Sequence, residues 1–278
     1  MVSLLDPLFL KALFGLFLAS LMAPIGALAT LRGISYLSAE VSHAALGGAS
    51  LGFFLIYLGF SYSNPFLIAL FFSIGVSLLT AYLGRISGPE ATGSAIGSTL
   101  ALSMAIYALV RGLLPGEIKA MLDTYLIGDV LLLTSSDLVQ ISIVVIISLV
   151  MLALFYNEFI YVCFDYEGLE TMGLNAKLYD YLLFALLGLS GVIEAKSIGA
   201  FLVFAFMIAP AGIAKEITKS VSSFLFLSFL IALLSSIFGL FVSILFNLPT
   251  SGVVAILPSS IYLIVVLKKM LPLEKRLF

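Results

Sequence analysis

The sequence contains one cysteine, one histidine and no tryptophan, and only 10% of its 278 residues are charged. The lone Cys163 excludes an internal disulfide and any cysteine-rich metal cage. His43, the single histidine, has no serine or cysteine nucleophile motif near it, so no acyl-transfer constellation can be assembled. No glycine-rich phosphate loop ending in Lys-Ser or Lys-Thr is present, which excludes nucleotide binding in the P-loop manner. The chain therefore reads as a non-enzyme that binds no cofactor of its own. The scarcity of charge excludes still more. Ordinary soluble domains carry about 25% charged residues, and a soluble chain this poor in charge could not cover its own surface. Nothing suggests a nucleic-acid partner.

What is present is apolar: 62% hydrophobic residues and a mean hydropathy of +1.24. With no long polar stretch, residues 1–278 read as one membrane domain with no appended soluble module. A helix needs about 20 mostly apolar residues to cross the hydrocarbon, so the gaps between charged residues serve as a ruler. Lys11 to Arg32, Glu90 to Arg111 and Asp137 to Glu158 each leave 20 uncharged residues. The longer gaps, His43 to Arg85 and Lys219 to Lys268, are split by the turn signals Ser61 to Pro65 and Asn247 to Gly252. Asp180 to Glu194 leaves only 13. The expectation is an all-α, polytopic transmembrane bundle of nine spans, or eight if the short piece ending near Glu194 is a half-helix. The stretch after Asp6, with a lone Lys11 and no cleavage pattern, is expected to be the first span rather than a removed signal.

An odd count puts the termini on opposite faces, and the basic residues choose the orientation. A cytoplasmic C-terminus places Arg32, Arg85, Lys177, Lys215, Lys219, Lys268, Lys269, Lys275 and Arg276 inside, against Lys11, Arg111, Lys119 and Lys196 outside. The N-terminus is then external, in the plasma or inner membrane of the cell. Two connections are long enough to carry function. The external one, Arg111 to Asp137, holds an apolar run from Tyr125 to Leu133 suited to dipping back into the membrane. The cytoplasmic one, near 161–180, is expected to form a short surface helix.

The second span carries Glu40 and His43, three residues apart and so on nearly the same helical face. Together they suit Zn²⁺, Mn²⁺ or Fe²⁺, although two ligands are too few for a closed site. That shortage suits transport, where the ion must leave again, and a second copy of the chain could complete the coordination. The bland reading has the two pairing with each other or with Ser38 and Ser42. Gly15, Ala19 and Ala23, and likewise Ala44, Gly48 and Gly52, recur at four-residue spacing and read as close packing faces. Pro24 and Pro210 should kink or break their helices.

Several segments, in order along nearly the whole chain, resemble the membrane-spanning permeases of zinc, manganese and iron importers of the ATP-binding-cassette class. Arg32 followed by Ser42-His43-Ala44-Ala45-Leu46-Gly47-Gly48 is similar to the family's Arg and Ser-His-Ala-x-Leu-Pro-Gly, and Leu126-Ile127-Gly128-Asp129-Val130-Leu131 to its Leu-Phe-Gly-Asp-Ile-Leu. Phe164-Asp165 with Gly173-Leu174 matches its cytoplasmic loop. Gly199, Ala205, Pro210, Ala211 and Ala214 match its most extended pattern, and Pro249-Thr250-Ser251-Gly252 also fits. The resemblance implies a type II importer-like permease that pairs with a second copy around a central pathway. It also implies two cytoplasmic ATPase subunits that bind ATP, and an external metal-binding protein that delivers the ion. In that picture Phe164, Asp165, Gly173 and Leu174 belong to the ATPase-coupling element. One departure concerns the site itself. Family members place an Asp four residues before the histidine, where this chain has Ala39, with its acid at Glu40. Either the longer Glu40 reaches the same ion or the ligand set has changed. Gly47 in place of the family's proline is a smaller departure. The alternative to the ATP-driven importer is a gradient-driven transporter or channel that works without an ATPase.

Overall fold

Short polar residues set just ahead of apolar runs start several of the helices. Asn64 accepts hydrogen bonds from the backbone N–H groups of Phe66 and Leu67, with Pro65 in the first turn. Thr134 and Asp137 form a reciprocal capping box, and Asn175 and Ser220 cap their helices through Leu178 and Ser223. Gly33 (φ 78°) and Asn247 (φ 52°) end helices in the left-handed conformation. The computed structural model describes residues 7–88, 91–128 and 130–270. Asp6, Glu90, Asp129, Lys275 and Arg276 lie outside the described residues, as do the side chains of Leu126 and Lys269.

The helices are α1 (Pro7–Ser20), α2 (Ala23–Arg32), α3 (Leu37–Tyr57), α4 (Pro65–Ser87), α5 (Thr92–Leu113), α6 (Gly116–Ile127), α7 (Ser135–Leu154), α8 (Tyr156–Phe164), α9 (Tyr166–Thr171), α10 (Ala176–Ile198), α11 (Ala200–Ile217), α12 (Val221–Phe246) and α13 (Thr250–Met270). Among the described residues nine spans are long and apolar enough to cross a membrane, with α1 and α2 together forming the first. The nine-span expectation holds. The half-helix alternative fails because α10 continues through both Asp180 and Glu194 and crosses in full. Asp180 is paired with arginine and Glu194 is wholly buried, so neither marks a helix end.

The expected packing faces are realised. A Cβ on Gly48 would lie 2.6 Å from the Cα of Ala69, and one on Gly52 2.5 Å from that of Pro65. Lipid tails are as apolar as leucine, so close backbone approach rather than hydrophobic exclusion joins α3 to α4. Gly47 likewise sets α3 against α5: a Cβ there would sit 2.9 Å from the Ser103 carbonyl oxygen. Pro24 starts α2 after a turn at Leu21 and Met22, breaking the first span in mid-course. Pro210 is accommodated within a continuous α11.

On the far side from α8 and α9, the 3-10 turn Val130–Leu132 follows α6 and packs with Leu133 against α1 at Gly15. Gly128 (φ 68°) and Gly199 (φ 88°) meet backbone to backbone, which leaves no room for a side chain on either. Tyr125 is buried, with Lys196 Nζ 4.3 Å above its ring, and Lys196 also pairs with Asp137 at 3.2 Å. The run after α6 thus folds back onto the bundle.

Substituting Gly48 by valine should destabilise the solubilised chain by about 1–3 kcal/mol, the usual effect of forced overpacking. Gly97→Ala, with nothing near its would-be Cβ, should leave the unfolding midpoint unchanged or raised. Thermal unfolding in detergent distinguishes the two.

Candidate metal site on the third helix

Along α3 the residues Tyr36, Ala39 and His43 form a stripe of exposed or half-exposed positions, whereas Glu40 is fully buried. The carboxylate of Glu40 turns to α4 and α5. Thr80 Oγ1 donates to Glu40 Oε1 at 2.7 Å and lies 2.8 Å from Thr99 Oγ1. Glu40 Oε2 has no hydrogen-bond partner. Two hydroxyls therefore attend this buried acid: Thr80 donates to it directly, and Thr99 lies beside both.

His43 is anchored differently. Its Nδ1 lies 2.7 Å from the Ala39 carbonyl oxygen. A carbonyl only accepts, so Nδ1 carries the proton and Nε2 keeps a lone pair. Ser42 Oγ, which donates to the same carbonyl at 2.8 Å, sits 3.1 Å from Nδ1. A histidine whose far nitrogen is fixed by a backbone carbonyl is preset to offer the other to a metal.

The structure brings Glu40 and His43 onto one turn of α3 but not onto one point. Among the described residues no hydrogen bond or ion pair joins them, and no group of three or more His, Cys, Asp or Glu is assembled. The position that shares His43's half-exposed face is Ala39. Side chains three apart on a helix have Cβ atoms about 5–6 Å apart, so Glu40 reaches the His43 side only by leaving Thr80. Sequence reading missed Thr80 and Thr99, because 40 and 59 positions of chain separate them from Glu40 and nothing local pairs them.

At one end of the bundle Asp180 accepts from Arg32 Nε at 3.2 Å and faces Arg85 Nη2 at 3.9 Å. Arg85 hydrogen-bonds the Tyr166 hydroxyl, and its guanidinium lies 5.3 Å from that ring's centre. These residues, with Gly84 and Thr92, line a cavity of about 650 Å³. At the opposite end Arg111 binds Asp123 through two 2.8 Å hydrogen bonds, and these hold the Asp123 carboxyl below the usual range.

The expected surface helix is present as α9, capped by Asp165, which accepts from the Gly168 N–H at 2.9 Å. Gly173 (φ 77°) turns the chain after it. Leu169 anchors the segment in the core, while Phe164 and Leu174 are exposed on either side of α9. The neighbouring Cys163 is half-buried, and burial pushes its thiol up to about 12. The two carboxylate oxygens of Glu194 on α10 are buried without a hydrogen-bond partner.

The sequence profile of the ABC 3 transport family matches residues 6–269. The manganese transport system membrane protein MntC of Listeria monocytogenes is 31% identical, over 86% of this chain and 82% of its own length. The high-affinity zinc uptake system membrane protein ZnuB of Haemophilus influenzae is 26% identical, over 94% and 97%. Among solved structures, PsaBC from Streptococcus pneumoniae in complex with Fab superposes with a TM-score of 0.81 at 26% identity, covering 94% of this chain and 91% of that one.

Two outcomes are expected from this geometry. In a double-mutant cycle, Thr80→Val and Glu40→Leu, each of which removes one partner of the hydrogen bond, should couple by about 0.6–1.7 kcal/mol, the range for hydrogen bonds between membrane helices. A coupling indistinguishable from zero would detach the pair. At pH 8 a thiol raised from 9.0 to about 12 is almost wholly protonated, so maleimide should modify native Cys163 roughly a thousandfold more slowly than the unfolded chain.

Proposed function

This chain belongs to the ABC 3 transport family, and we propose that it is the membrane-spanning subunit of an ATP-driven importer carrying a divalent transition-metal ion, zinc, manganese or iron, into the cytoplasm. The observation that carries the reading is His43: an imidazole preset to offer Nε2 from the half-exposed face of a membrane-spanning helix. Ionisable groups inside a membrane are costly and mark pathways. Neutral imidazole suits this class of metal, and few ligands from each copy allow the ion to leave again. The names of the manganese and zinc relatives point to the same substrates. His43 is assigned as the resting ligand, and Glu40, one turn away behind Thr80, as the carboxylate available to join it.

The chain itself does no covalent chemistry in this reading. ATP is bound and hydrolysed on two cytoplasmic partner subunits, an external binding protein delivers the metal, and a second copy of the chain completes the pathway. Phe164, Asp165, Gly173 and Leu174 form the surface those ATPases grip, and two exposed apolar side chains beside the short, capped α9 support that role. The N-terminus lies outside and the C-terminus in the cytoplasm, which puts Arg32, Arg85 and the α9 segment on the cytoplasmic face.

The test is uptake of Zn²⁺ or Mn²⁺ by proteoliposomes holding the full complex, with and without ATP, the accumulated metal being identified by elemental analysis. His43→Ala should lower uptake about tenfold or more, by analogy with loss of metal-site residues, while assembly and thermal stability persist. Unaltered uptake in His43→Ala and Glu40→Gln together excludes the site, and uptake by the chain alone without ATP favours the gradient-driven alternative.

A further inference from the structure

Helix α4 touches both ends of the machinery just described. Its Thr80 holds the Glu40 carboxylate, and five residues on, its Arg85 meets Tyr166 of α9 and faces Asp180 at the start of α10. Asp180 also takes Arg32, the last residue of α2, from which a short turn leads into α3 and its Glu40 and His43. One carboxylate therefore links the ends of α2 and α4 to α10, and Arg85 extends the link to α9.

The linkage between Arg85 and Thr80 is stiff. Five residues of α-helix span about 7.5 Å, and the intervening Gly84 is pressed on α5, where a Cβ would lie 2.9 Å from Thr92 Oγ1. A displacement of Arg85 is carried up α4 to Thr80. Its bond to Glu40 is 2.7 Å long, so about 1 Å of movement takes it beyond hydrogen-bonding range. With Oε2 unpartnered, Thr99 is then the one hydroxyl among the described residues left beside the carboxylate.

We propose that Asp180 is a positioning residue of the transport cycle: by clamping Arg32 and Arg85 under Tyr166 it keeps Thr80 on Glu40, and opening of the clamp by movement of α9 frees Glu40 to join the ion at His43. The proposal rests on His43 being the ligand. It adds that the metal site exists in two strengths, imidazole alone when the clamp is shut and imidazole plus carboxylate when it is open. Arg85 is the connecting element, because it contacts both Asp180 and α9 and belongs to the helix that carries Thr80.

The experiment compares variants of the full reconstituted complex by Zn²⁺ binding without nucleotide, ATP hydrolysis, and zinc taken up per ATP hydrolysed. Asp180→Asn should tighten nucleotide-free binding about tenfold and lower zinc per ATP by a similar factor. The tightening should vanish in Asp180→Asn with Glu40→Gln, and Asp180→Glu should restore wild-type values. Where Asp180→Asn fails to assemble, Arg85→Lys, which keeps the charge but loses the planar contact with Tyr166, should shift both readouts in the same direction. Wild-type binding and zinc per ATP in the assembled variant, or tightening that survives Glu40→Gln, overturns the clamp. Normal uptake in His43→Ala overturns the site itself, so the two failures are separable.

Discussion

Hydrocarbon offers a peptide group no hydrogen-bond partner, so the backbone N–H and C=O groups within each span must be answered by the protein. Many hydroxyls here meet that demand locally: Ser103, Ser197 and Ser228 each donate to a carbonyl four residues back. A smaller set reaches across helices. Ser73 lies within reach of the carbonyls of Val41 and Gly188, Ser20 meets Ser236, and Thr80 meets Glu40. The Ser73 crossing falls where glycines bring α3, α4 and α10 close together, as at Gly188 and Gly191. Polarity and tight packing are therefore one arrangement: hydroxyls reach the neighbouring helix because small residues let the backbones approach.

Within this frame the two ionisable groups of α3 are treated in opposite ways. His43 bonds within its own helix and keeps one nitrogen uncommitted, whereas Glu40 bonds to a neighbouring helix and is committed on one oxygen. The difference follows from a step of one residue, about 100° around the axis. An acid at position 39 would share the half-exposed face with His43, and an acid at position 40 looks into the bundle. With its acid at Glu40 and not at Ala39, the chain sets the carboxylate against Thr80 and leaves the imidazole as the more accessible group.

Much of the fold was legible because a bilayer tolerates few charges. The gaps bounded by Lys11, Arg32, Glu90, Arg111, Asp137 and Glu158, with turns at Asn64-Pro65 and Asn247, marked most of the spans. The ruler misread α10, where Asp180 is neutralised by arginine and Glu194 is enclosed in protein, so both sit inside a helix. The site was legible as a pair of residue types but not as a geometry. Spacing alone gave Glu40 and His43 a common face. It could not reveal that Thr80, on another helix, draws the acid away, since that contact depends on how α3 and α4 are rotated about each other. The short helix α9 was visible from its charges and glycines, whereas the join between its Tyr166 and Arg85 was not.

The interruption at Leu21 and Met22 divides the first span into two pieces that share α12 as a neighbour. The first piece, α1, is fastened to α12 by Phe9 against Phe241 and Ser20 against Ser236. The second piece, α2, also rests Gly26 on Met207 of α11 and ends in the Arg32 ion pair. Because Pro24 has already removed a rung from the hydrogen-bond ladder there, the two pieces meet at a joint rather than along a continuous rod.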